Sequence, residues 1–100
     1  MSQGGLSDLN TSTRLDGMLS LLERQVESRF LDSQLSMTLL IQTSLRPQLH
    51  ANLDERVRNN IGRLLHFIDR MDVHAELPLL QQYQQLLLKS LAVLRSQLKQ

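Results

Sequence analysis

Residues 56–71 read RVRNNIGRLLHFIDRM, and this stretch decides the fold. Val57, Ile61, Leu64, Ile68 and Met71 follow one another at spacings of four, three, four and three residues. That spacing returns a side chain to one side of a helix at every turn, the pattern of a helix with a packing seam. Leu53 extends the seam one turn upstream, and Leu65 and Phe67 widen it. On the polar side Arg56, Arg63 and Arg70 recur every seven residues and form a row of their own.

Working outward, the punctuation comes from two prolines. Pro47 disfavours helical backbone at Arg46 and is itself tolerated in a first helical turn, so one helix ends there and the next spans 47–71. Pro78 opens the last helix, 78–99, after a connector at 72–77. Upstream, Leu15, Leu19, Leu22, Val26 and Phe30 continue through Ser33, Met37 and Leu40 at helical spacing. The favoured reading is one long helix over 14–45, with a bend near Asp32 as the alternative, since Asp32 and Ser33 are good N-cap residues. Thr13 with Asp16 three residues on matches a capping box weakly. Residues 1–12, with Gly4 and Gly5 among small polar side chains, read as a disordered lead-in to a single domain over 13–100. Gly62 beside the seam suggests close approach of a neighbouring helix.

These elements predict an all-α fold: an antiparallel bundle of three helices, or four if the first is broken. The scarcity of aromatics and β-branched residues agrees with helices over sheet. A first helix of about 32 residues is some 48 Å long and outruns its neighbours, so a homodimer or a heteromeric partner is expected to cover the excess.

Charge is spread unevenly. Residues 1–45 carry three bases against five acids, residues 77–100 carry Lys89, Arg95 and Lys99 with no acid, and the whole chain is close to neutral at +1. The two ends therefore attract, within one protomer or between two. No secretory signal is visible at the N-terminus and no apolar run approaches the ~18 residues of a membrane span, so a cytoplasmic setting is the expectation.

Catalytic motifs are missing. The 100 residues contain no cysteine, which removes thiolate ligands and Cys nucleophiles. His50 with Asp54 and His66 with Asp69 sit at helical spacing, but two ligands fall short of a zinc site, and solvated surface is the preferred reading. Glu23 and Glu27 lack the Glu-x-x-His partners of a di-metal bundle. No Gly-flanked nucleophile or phosphate loop is present. The expectation is a protein that is not an enzyme and holds no metal or cofactor.

Two surface features remain. Arg56, Arg63 and Arg70 have no acid three or four residues away, so they meet solvent, a carboxylate of another helix such as Glu23, Glu27 or Asp32, or an acidic partner. In the last helix, Leu79, Leu80, Tyr83, Leu86, Leu87, Leu91, Val93, Leu94 and Leu98 cover an arc of roughly 160°. Its central stripe, Leu80, Leu87, Leu91, Leu94 and Leu98, is expected to face the core. Leu79, Leu86 and Val93 mark one edge and are the expected partner-facing set. Leu88 lies outside the arc, on the side of Arg95 and Lys99, and is a further partner-facing candidate. The function expected is a small helical adaptor, chaperone or regulatory subunit that binds another protein through an apolar helix face. A nucleic-acid-associated factor using the arginine row is the alternative.

Overall fold

In the computed structural model, residues 2–99 are described, with side chains from Thr11 onward. Four α-helices follow in order: α1 (Ser2–Arg29), α2 (Gln34–Leu45), α3 (Glu55–Asp69) and α4 (Leu77–Leu98), with a 3-10 helix Arg46–His50 after α2. No strand occurs among the described residues. The backbone is helical from Ser2, which takes in most of the stretch read as a lead-in; the side chains before Thr11 lie outside the described residues. Thr13 is consequently inside a helix and caps nothing.

The continuous helix over 14–45 is not formed. Helical backbone stops at Arg29 and resumes at Gln34, with Ser33 at φ −147° and ψ 58° between them. The Ser33 amide donates to the Arg29 carbonyl (3.0 Å) and, more weakly, to that of Phe30 (3.3 Å), and the Gln34 side chain donates to Leu31 (2.6 Å). These bonds satisfy backbone groups that a helix interruption would otherwise leave unpaired. Phe30 is fully buried at this corner. The second half of the supposed rod folds back, so α2 packs against both α1 and α3.

The helix expected from Pro47 also starts later. The 3-10 helix begins at Arg46, whose backbone is helical (φ −56°, ψ −43°) despite the proline that follows, with Pro47 in its first turn; Ala51 is extended and α3 begins only after Asp54. The Asp54 carboxylate accepts from the Arg56 amide at 2.8 Å, the N-cap bond that fixes this start. From there the seam behaves as its spacing predicts: Val57, Ile61, Leu64, Ile68 and Met71 are all buried.

Each helix packs on the next and α4 packs on α1, while α3 makes no close backbone packing with α1 among the described residues. The α1–α4 pair runs in opposite directions. Gln84 near the start of α4 reaches Val26 and Glu27, and Arg95 near its end reaches Glu23 and Asp16. Gln84 Nε2 donates to the carbonyls of Val26 (3.1 Å) and Glu27 (3.2 Å). The latter is one of the last carbonyls of α1, which lack intrahelical donors, so a side chain of α4 caps the end of α1. Arg95 bridges Asp16 (3.1 Å) and Glu23 (2.8 Å). These bonds, to Asp16 first and then Glu23, hold its guanidinium above the ordinary arginine pKa. The attraction expected between the oppositely charged parts of the chain is thus realised within one protomer.

The core is one cluster. It contains Leu15, Leu19, Leu22, Val26 and Phe30 of the first segment, Met37, Ile41 and Leu45 of α2, the α3 seam, and Leu80, Leu87, Leu91 and Leu94 of α4. Among the described residues no buried side-chain nitrogen or oxygen lacks a partner.

Gly62 does not mark a close helix approach. A Cβ at Gly62 or at Gly17 would meet nothing within 4 Å, and neither has positive φ. Both are glycines inside helices with no packing reason, where alanine is favoured by about 0.4–1 kcal/mol. Gly62→Ala is therefore expected to raise the urea midpoint, with Gly17→Ala adding to it. A lowered midpoint for Gly62→Ala would reinstate a packing role.

Candidate functional site

Along α4 the helical period sorts leucines cleanly. Leu80, Leu87, Leu91 and Leu94 are buried and Leu98 is half-buried against the core. Leu79, Leu86 and Val93 point outward, with Leu86 48% and Val93 45% exposed, enough to leave both side chains open to a partner. Leu88 lies on the Arg95 side of α4, as its spacing predicts, but that side does not face outward. It lies on the stripe of α4 that also carries Gln84 and Arg95, and both of those reach α1. Leu88 is accordingly half-buried against the core, and its side of α4 is an internal one.

Leu86 and Val93 form one wall of a groove between α3 and α4, about 380 Å³ in volume. Leu64, Phe67 and Leu94 contribute its apolar surface, and Arg63, Lys89, Asn60 and Ser90 its polar rim. The two cations face no acid within the lining, so the groove is apolar inside and positive at its edge. Its two helices are joined by polar and aromatic contacts. Asn60 Nδ2 donates to Gln97 Oε1 (2.9 Å), and the Phe67 and Tyr83 rings meet edge to face with centroids 5.8 Å apart. The Tyr83 hydroxyl also accepts from the Asp72 amide after the end of α3, at 3.3 Å. Contacts of this kind hold the groove walls in register.

The arginine row is not gathered into one site. Arg63 alone borders the groove. Arg56 lies in the first turn of α3, next to a separate hollow with Ser12, Leu53 and Gln97, and Arg70 occupies the C-cap of the same helix. All three are exposed. Glu23, offered as an interhelical partner for the row, binds Arg95 instead, because its part of α1 packs on α4.

His50, His66 and His74 are exposed. Among the described residues no three of His, Cys, Asp and Glu come together in a way that could hold a metal ion. No helix of the described residues is long and apolar enough to cross a membrane. Compared with known proteins, the chain matches no family model, no curated protein and no solved structure.

The part of this site that spacing did not reveal is its geometry. Nothing local in the sequence indicates that Arg63 of α3 comes beside Lys89 and Leu86 of α4. The available signal was weak: Arg63 lies one turn from Phe67, and Lys89 one turn from Leu86 and Val93.

Proposed function

We propose that this chain is a small non-catalytic protein-binding module, an antiparallel four-helix bundle that works as a dimer in the cytoplasm and takes a helix of another protein into the α3–α4 groove. The observation that carries this reading is the convergence of Leu86, Val93 and Phe67 with Arg63 and Lys89 on one open groove. Helix-in-groove recognition places apolar anchors at i, i+3 or i+4 and i+7 into such a surface. Large apolar side chains rimmed by charge are a common mark of an interaction site. The unopposed cations favour a helix that is apolar on one side and acidic at its margins.

The test compares proteins recovered from the native host with tagged wild type and with the Leu86→Glu/Val93→Glu double variant. Both positions are solvent-facing, so the variant is expected to keep its helical spectrum and unfolding midpoint. It is expected to lose specific partners that wild type retains. Adding Arg63→Gln and Lys89→Gln to an otherwise unchanged groove should weaken the same partners and make the residual binding less dependent on salt. An identical set of partners for wild type and the Leu86→Glu/Val93→Glu variant would refute the groove as the binding site.

A further inference from the structure

α2 carries large apolar side chains on its outer face as well as its inner one, unlike an ordinary surface helix. Its sequence, QLSMTLLIQTSL, contains no charged residue, whereas α1, α3 and α4 all do. Met37, Thr38, Ile41 and Leu45 are buried, while Leu35, Ser36, Leu39, Leu40 and Thr43 make up the outward stripe. Leu35 is 57% and Leu39 54% exposed, so the helix turns more leucine to solvent than a packed monomer requires. The two threonine hydroxyls are engaged locally: Thr38 donates to the Leu35 carbonyl (2.9 Å) and Thr43 to that of Leu39. The outer face is left uncharged, with Leu35, Leu39 and Leu40 as its apolar part beside Ser36 and Thr43. A helix with large apolar side chains on both faces is normally covered on both.

We propose that this outer face of α2 is where two copies of the chain pair, with their α2 helices antiparallel about a two-fold axis near Leu39. It gives the dimer of the proposed function a surface of its own, separate from the groove. The choice of occupant follows from charge. A two-fold interface sets a patch against itself, so any unbalanced charge near the axis meets its own copy. The α3–α4 groove, with Arg63 and Lys89 and no acid, repels a second copy of itself. The α2 face carries no charge to repel. Its flanks are complementary as well: exposed Asp32 lies in the turn before the helix and exposed Arg46 comes directly after it. In an antiparallel pair centred on Leu39, the end of α2 that follows Asp32 in one copy lies beside the end that precedes Arg46 in the other, which brings opposite charges together at both ends of the patch. A helix of this length spans only about 18 Å, and stable interfaces bury about 800 Å² per partner, so the dimer is one that dissociates on dilution.

Light scattering across a dilution series is expected to show mass rising from the 11.5 kDa chain toward twice that value. Leu35→Glu/Leu39→Glu should stay monomeric with helicity intact. Asp32→Arg alone should weaken the dimer, and Asp32→Arg with Arg46→Asp should restore it. The absence of native cysteine gives an independent arm that needs no charge in the patch: Leu39→Cys should form a covalent dimer on air oxidation, whereas Val93→Cys should not. A wild type that stays monomeric at every concentration overturns the proposal. So does a dimer that dissolves on Leu86→Glu but survives Leu35→Glu/Leu39→Glu, or crosslinking of Val93→Cys in preference to Leu39→Cys. Loss of partner binding with the dimer intact would count against neither arm of this test, because the groove and α2 share no lining residue.

Discussion

Phe30→Ala is expected to lower stability by about 4 kcal/mol, on the order of 20 °C in the unfolding midpoint of a chain this size. Phe30 is fully buried where α1 gives way to the turn before α2. Removing its ring takes away packing at the position where the chain reverses, and the backbone cannot close the space without moving α2. Net stabilities of native domains lie near 5–15 kcal/mol, so the loss is a large fraction of the total. Urea unfolding followed by circular dichroism measures it directly. Phe30→Leu, which keeps most of the apolar volume, is expected to recover more than half of the loss. If Phe30→Ala unfolds at the wild-type urea concentration, the corner between α1 and α2 is not packed as described.

The second large effect separates neighbours in sequence. Leu87 is fully buried and Leu86 is 48% exposed, although they differ by one position. Leu87→Ala should cost about 3 kcal/mol, and Leu86→Ala should stay within about 0.5 kcal/mol of wild type. Two thermal unfolding curves decide the matter. Equal midpoints for the two variants would mean that Leu86 is covered in solution, and that α4 presents no open wall to the groove.

Why some features were legible in the sequence and others not follows from how far apart the deciding contacts lie. A helix rotates about 100° per residue whatever surrounds it. The α3 seam from Val57 to Met71, and the division of α4 between Leu87 and Leu86, therefore follow from spacing alone. The reversal after Phe30 has no such signature. Met37 falls at a spacing that a straight helix or a folded-back one satisfies equally. The outcome shows only in the choice of inward residue: Thr38 and Ile41 turn in, and Leu40 turns out. The start of α3 was hidden for a related reason. Leu53 matches the seam spacing, but it precedes the Asp54 cap and reaches the core from non-helical backbone. The groove and the Arg95 bridge depend on residues far apart in the chain, and periodicity carries no record of such meetings.

That distance has a kinetic consequence. The Arg95–Asp16 bond joins residues 79 positions apart, and the Gln84–Val26 bond joins residues 58 apart. Closing such long loops costs entropy before any contact is gained, so α1 and α4 meet late in folding, after the shorter reversals around α2 and α3. On the ribosome the delay is longer still. At about 5–20 residues per second, several seconds pass between the emergence of α1 and that of α4. Throughout that interval Leu15, Leu19, Leu22 and Val26 have no α4 to cover them, and the nascent chain is at its most prone to aggregate or to be held by a chaperone. Substitutions that weaken α4 packing should therefore reduce soluble yield from cells by more than their effect on the purified protein's stability suggests.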